Sequence, residues 1–303
     1  MSEGVLTLVA GSAELEWPRV LRLVRAALEP LGAHLVPVDW LAPERAVDLG
    51  FDGVDPEQAE AAARFAIRAE MGDVPLDLIA QPSAGRRKRL LVADMESTII
   101  ANEMLDELAE ILGLGPGVAE VTRRAMNGEV DFTAALRQRV ALLAGFPATV
   151  LDQATARIRI NPGAAELIAT MRAGGAYTAL VSGGFRSFTR LVKARLGFDA
   201  DVANELVISE GRIAGRVQEP ILGREAKLAT LNALAADRRL TLADSLAVGD
   251  GANDLSMLEA AGLGVAFHAK PIADEHARHR IRHADLTALL YAQGYRDSEI
   301  RRS

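Results

Sequence analysis

The chain has 303 residues, half of them hydrophobic, and carries a formal net charge of -7 without a single cysteine. That length and apolar content allow about two domains with substantial cores, while the missing cysteines exclude disulfides, thiolate nucleophiles and cysteine zinc sites. The acidic balance argues against a nucleic-acid footprint, so an anionic ligand would need local positive groups or a metal to hold it. No apolar run approaches the roughly 18 residues of a membrane helix. Met1-Ser2-Glu3-Gly4 shows no basic segment leading into an apolar one, so a cytoplasmic protein with no membrane association is expected.

In chain order, Val5–Val9 reads as a strand and Trp17–Leu28 as a helix with apolar positions at helical spacing. His34–Trp40 and Ala46–Phe51 read as a strand pair, Glu57–Met71 as an Ala-rich helix and Leu76–Ala80 as a closing strand. This order is that of a ferredoxin-like split βαβ unit, and it is assigned to residues 1–82. The unit carries no cluster of reactive side chains. It resembles a degenerate amino-acid-sensing domain, and such modules also pair subunits, which leaves a homodimer open; a plain packing role is the simpler expectation. Gln81-Pro82-Ser83-Ala84-Gly85 and the basic run Arg86-Arg87-Lys88-Arg89 mark the boundary, read as a solvated linker.

Leu90-Leu91-Val92-Ala93 has the continuous apolar character of a strand buried on both faces. It stops at Asp94-Met95-Glu96-Ser97-Thr98, at the rim where open α/β sheets place their ligands. From about residue 102 to 160 the pattern is helical and interrupted by glycines, long for a crossover, and is expected to cap that rim. Strand–helix alternation then resumes. Tyr177–Val181 is a strand ending in Ser182-Gly183-Gly184, Val207–Ala214 a hairpin turning at Glu210-Gly211, and Lys227 lies near the start of a helix. Leu246–Gly249 is a strand ending in Asp250-Gly251-Ala252-Asn253-Asp254, and Leu263–Phe267 is a strand with no polar chemistry at its end. The pattern implies a parallel sheet. Carboxylates, a hydroxyl, backbone donors and a lysine at one sheet edge are what phosphoryl transfer with a divalent metal needs.

Asp94-Met95-Glu96-Ser97-Thr98, Ser182-Gly183-Gly184, Lys227 and Gly249-Asp250-Gly251-Ala252-Asn253-Asp254 resemble, in order and spacing, the four signatures of the haloacid dehalogenase superfamily. The particular wording over about residues 90–295 is similar to that of its members acting on phosphoserine. The resemblance implies an α/β fold, with a Rossmann-like parallel-sheet core and a helical cap in residues 83–303, preceded by the ferredoxin-like α+β domain. It implies hydrolysis of a small phosphomonoester, L-phosphoserine, with Mg²⁺. Asp94 would be the nucleophile, and Asp94, the Glu96 carbonyl, Asp250 and Asp254 the metal set. Ser182, Gly183, Lys227 and Asn253 would hold phosphate oxygens, Glu103 the substrate ammonium and Arg139 its carboxylate, with Met126 and Phe132 shaping the lid.

Glu96 departs from the family, which has Asp there as general acid/base. The extra methylene leaves two expectations open: an active enzyme whose backbone absorbs the change, or an impaired, repurposed amino-acid-binding protein. A related small-molecule phosphatase is a further alternative. His276, His279 and His283 lie near helical spacing but are interleaved with arginines, so a solvated helix is expected rather than a zinc face.

Overall fold

The computed structural model describes residues 3–11, 15–126 and 129–302. The first part contains β1 (Gly4–Ala10), α1 (Trp17–Leu28), β2 (His34–Leu35), β3 (Asp39–Ala42), β4 (Ala46–Asp52), α2 (Pro56–Met71) and β5 (Leu76–Pro82). The sheet runs β2-β4-β1-β5, with β3 also on β4 and every pairing antiparallel. This is the expected ferredoxin-like order. The expected strand from His34 to Trp40 is instead two short ones, because Pro37 between them has no N–H to continue the ladder. Helix α1 buries Trp17, Val20, Val24 and Leu28, one stripe at helical spacing, against the sheet face formed by Leu6, Leu8, Leu49 and Phe51. Asp55 caps α2 by accepting the Glu57 N–H at 2.9 Å. Val9, Ala46 and Ile79 join the larger apolar cluster with Leu286 and Leu289. The sheet is thus covered on both sides, which is why all seven residues of β1 are buried.

The second part begins with β6 (Leu90–Asp94), followed by α3 (Met104–Ile111), α4 (Gly115–Met126), α5 (Phe132–Ala141) and α6 (Val150–Thr155), all within the stretch expected to cap the rim. Next come α7 (Ala164–Ala173), β7 (Tyr177–Phe185), α8 (Arg186–Leu196), β8 (Ala200–Asn204), β9 (Leu206–Ser209) and β10 (Arg212–Val217). The chain closes with α9 (Arg224–Asp237), β11 (Ser245–Gly249), α10 (Leu255–Ala260), β12 (Leu263–Phe267), α11 (Pro271–His276), β13 (His279–Ile281) and α12 (Ala288–Ala292). The sheet is parallel throughout, in the order β13-β12-β11-β6-β7-β8. From β6 the chain moves outward through β7 and β8, then returns to β11 on the other side of β6. The order therefore reverses at β6, and the crevice beyond the strand ends there is where such sheets take ligands. Among the described residues no helix is long and apolar enough to cross a membrane.

Two readings of charged segments are corrected. The basic run is not a solvated linker: Lys88 is buried and its ammonium donates to the carbonyls of Gly85 (3.0 Å) and Ala243 (2.9 Å). Arg86 pairs with buried Asp48 at 2.6 Å, and Arg87 with Glu299 at 2.8 Å. The histidine stretch is not a solvated helix either. After α11 the chain becomes β13, whose two-residue period turns His279 and Ile281 inward. His279 Nδ1 lies 3.3 Å from Glu60 Oε2 on α2. Asp77 at the start of β5 accepts the backbone N–H groups of Arg282, His283 and Ala284 at 2.8, 3.1 and 2.8 Å.

Candidate active site

Each of the central strands delivers a polar group as its apolar run ends. β6 ends at Asp94, which is buried, and Lys227 reaches it from the first turn of α9, 2.7 Å from Asp94 Oδ1. The same ammonium lies 2.5 Å from Asp254 Oδ1. Asp254 follows β11, and its Oδ2 accepts the N–H groups of Asp250 (3.2 Å) and Gly251 (3.0 Å). A Cβ on Gly249 would run into the Asp254 carboxylate, so that turn requires glycine. One ligand oxygen each from Asp94, Asp250 and Asp254 lie within 4.8 Å of one another.

The charge balance here is uneven. Burial raises the Asp94 carboxyl well above the usual range, with Lys227 opposing and Asp254 and Asp250 reinforcing the shift. Burial likewise raises Asp250, against the pull of Lys270. Burial alone would lower Lys227, but Asp94 and Asp254 outweigh it and hold its proton above the ordinary lysine range. Asp94 and Asp254 thus share the buried Lys227 ammonium while Asp250 has only the half-exposed Lys270, and the donors of all three acids are oxygen. Such a set fits a hard divalent cation, whose charge would supply what Lys227 does not.

Glu96 points its carboxyl toward the cap. Its Oε1 accepts the Met104 N–H at 2.8 Å, at the first residue of α3, and its Oε2 accepts the Ser182 hydroxyl at 3.2 Å. Helix α3 receives no side-chain cap from its own N-cap residue, Glu103, so Glu96 takes that place. The longer side chain fits because residue 184 is glycine: a Cβ there would stand 2.5 Å from Glu96 Oε2. Burial, reinforced by the charge of Glu103, pushes the Glu96 carboxyl up to about 7.

A cavity of about 350 Å³ opens over these groups. Asp94, Glu96, Gly183, Asp250 and Asn253 line it from the strand ends, and Glu103, Phe132 and Arg139 from the cap. Its size lies near the lower end of small-ligand cavities, roughly 300–1,000 Å³. Burial lowers the Arg139 guanidinium from its ordinary value, opposed by Asp106, Glu96 and Glu103. Ser182, Lys227 and Asp254 are buried beneath the lining residues they contact, and Ser182 also accepts the Gly184 N–H at 2.9 Å. The Met126 side chain lies outside the described residues. A larger cavity of about 480 Å³ between α3 and α4 shares no lining residue with this one.

Lys270 was not legible as a site residue, because β12 shows no polar residue at its end. Its ammonium nevertheless lines the cavity, 3.1 Å from Glu103 Oε1 and 3.0 Å from Asp250 Oδ2. Ser97, in the left-handed region at φ 56°, donates its hydroxyl to the same Glu103 oxygen at 2.8 Å.

A parallel sheet with acids at its central strand ends, a buried lysine and a helical cap defines a class of hydrolases that work at the rim of a Rossmann-like core. Residues 91–259 match the haloacid dehalogenase-like hydrolase family. The chain is 41% identical over 279 residues to a phosphoserine phosphatase of Streptomyces coelicolor, covering 91% of this chain and 68% of that one. It is 43% identical over 199 residues to a phosphoserine phosphatase of Streptococcus thermophilus, covering 66% of this chain and 93% of that one. Among solved structures it is similar to the unliganded form of a probable phosphoserine phosphatase from Vibrio cholerae. That likeness has a TM-score of 0.77 at 31% identity and covers 98% of this chain and 88% of the other. The chain belongs to the haloacid dehalogenase-like hydrolases.

Proposed function

We propose that this hydrolase is a Mg²⁺-dependent phosphoserine phosphatase, releasing L-serine and phosphate from L-phosphoserine in the cytoplasm as the last step of serine biosynthesis. We read residues 1–82 as one domain and 83–303 as the catalytic domain, with its cap at about 102–160. One observation carries the substrate reading. The cavity is lined by Asp94, Asp250 and Gly183 from the strand ends, which we read as the phosphate side, and by Glu103 and Arg139 from the cap, which we read as the amino-acid side. An acid and a guanidinium match the ammonium and carboxylate of an amino acid. The names of the relatives support the same substrate.

In this reading Asp94 attacks phosphorus and the P–O bond to the seryl oxygen breaks. Glu96 gives its proton to that departing oxygen, leaving an aspartyl-phosphate. Glu96 then takes a proton from water as the water attacks phosphorus, and the P–O bond to Asp94 breaks to release phosphate. A carboxyl near 7 suits both halves, because it can hold and accept a proton at neutral pH. The Ser182 hydroxyl and the Met104 N–H hold that carboxyl in place. Lys227 and the Gly183 N–H supply positive partners where charge develops on the phosphate oxygens. Asp94, Asp250, Asp254 and the Glu96 carbonyl would hold Mg²⁺, whose charge, when bound, offsets the repulsion between anionic Asp94 and an anionic phosphate. Phe132 and the cap keep bulk water from the reacting groups.

Phosphate release by the full chain with Mg²⁺ tests the reading, on L-phosphoserine, O-phosphothreonine and homoserine phosphate. L-Phosphoserine should be preferred, and Asp94→Asn should abolish its turnover. Preference for another phosphomonoester, or undiminished activity in Asp94→Asn, would overturn it.

A further inference from the structure

We propose that Lys270 is a positioning residue that latches Glu103 of the cap to Asp250 of the core, and so sets how the enzyme recognises the amino group of its substrate. The proposal rests on the phosphoserine reading for its substrate, but its geometry does not. Glu103 immediately precedes α3, spends its side chain on no helix cap, and would be free to swing with the cap. Two donors converge on its Oε1, the Lys270 ammonium at 3.1 Å and the Ser97 hydroxyl at 2.8 Å. With Oε1 held from two sides, the second oxygen is the one left to meet an incoming ammonium.

An exposed ion pair is ordinarily worth little, and the Lys270 side chain is 60% exposed. Three features set this one apart. Its second partner, Asp250, is buried. The two acids come from different parts of the fold, and without the ammonium between them they would repel, driving the cap edge away from the core. Finally, the Lys270 backbone is pinned: its N–H donates to the Asp250 carbonyl at 2.8 Å, and Pro271 follows. Two residues earlier, the His268 N–H donates to Ile281 on β13 at 2.8 Å. The ammonium is therefore presented from a fixed base rather than from a mobile loop.

The test compares Lys270→Ala and Lys270→Arg in the full chain, using L-phosphoserine and phosphoglycolate, which keeps the phosphate and carboxylate, one carbon closer together, and lacks the amine. Lys270→Ala should raise KM for phosphoserine about tenfold, the scale of one charge-assisted hydrogen bond, with a clearly smaller change for phosphoglycolate. Lys270→Arg should restore most of the loss. Independently of turnover, amide hydrogen exchange in the metal-free protein should speed up about tenfold at Met104–Glu107 in Lys270→Ala. Equal KM changes for both substrates, a lower KM for phosphoserine, or unchanged exchange would each overturn the latch. A wild-type enzyme that does not favour phosphoserine over phosphoglycolate would overturn the substrate reading instead, and the exchange experiment would still decide the latch.

Discussion

Glu96→Asp restores the residue that the resembling family carries, yet this structure predicts that it harms the enzyme. The Glu96 carboxylate now spans the gap between the α3 N-terminus, 2.8 Å from the Met104 nitrogen, and the Ser182 hydroxyl at 3.2 Å. Removing one methylene withdraws the carboxylate by about 1.5 Å, beyond hydrogen-bond reach of at least one of those partners. The space it vacates lies over Gly184, where no side chain can fill it. Losing the cap of α3 should cost about 1 kcal/mol. Displacing a proton-transfer group by about 1 Å can cost on the order of 100-fold in rate, so kcat should fall roughly 10- to 100-fold. The assay is kcat and KM for L-phosphoserine at saturating Mg²⁺, with amide exchange at Met104 reporting the lost cap. A variant as fast as the wild type, with Met104 exchange unchanged, would refute the idea that this backbone is fitted around glutamate.

Three further outcomes follow from the same geometry. Arg139→Ala should raise KM for L-phosphoserine by roughly 10- to 100-fold, the range of a lost charged hydrogen bond, and lower kcat less; steady-state kinetics check it. In the metal-free chain, the native Glu96 carboxyl is raised from 4.5 to about 7. The folded state then binds the proton more tightly than the unfolded state, and stability falls as pH rises from about 4.5 through 7. At ~1.36 kcal/mol per unit this amounts to on the order of 2–3 kcal/mol, allowing for partial solvent contact. Denaturant unfolding of Glu96→Gln between pH 5 and 8 should lose most of that slope. At Glu60, burial alone would raise the carboxyl, but His279 and the Ala80 N–H outweigh it and hold it below its usual range. That contribution is present above pH 4.5 and lost as pH falls below it. Glu60→Ala should therefore cost about 3 kcal/mol at pH 7 and flatten the acid limb of the unfolding curve.

What the sequence carried, and what it hid, divides by the reach of the interaction. The strands at the centre of the parallel sheet were legible because burial on both faces writes itself as an unbroken apolar run, as in Leu90–Ala93 and Leu246–Val248. The edge strands β8 and β13 were missed because an edge tolerates charge, and Asp201 and Arg280 break the pattern. The acids at the strand ends were legible for the same reason as the strands, since each polar cluster interrupts an apolar run, whereas Lys227, in the first turn of α9, stood out only through the resemblance. Lys270 escaped because it stands three residues beyond its strand, and its partner Glu103 lies 167 residues away. Lys88 shows the same blindness from the other side. Four consecutive basic residues look solvated until the fold supplies the Ala243 carbonyl, 155 residues on.

Glu96 is the case that decides how such a departure should be read. As a letter in a motif it looks like damage, since an added methylene should misplace a proton-transfer group. Two features remote in sequence change that judgement: the bare backbone at Gly184 gives the longer side chain room, and the uncapped Met104 N–H gives it a partner. The glutamate thus has both a space and a donor suited to its length. In the proposed mechanism this ties the acid/base carboxyl to the first residue of α3. Its orientation then depends on where α3 stands, so in that mechanism the proton donor is aligned by the same helix that Glu103 directly precedes.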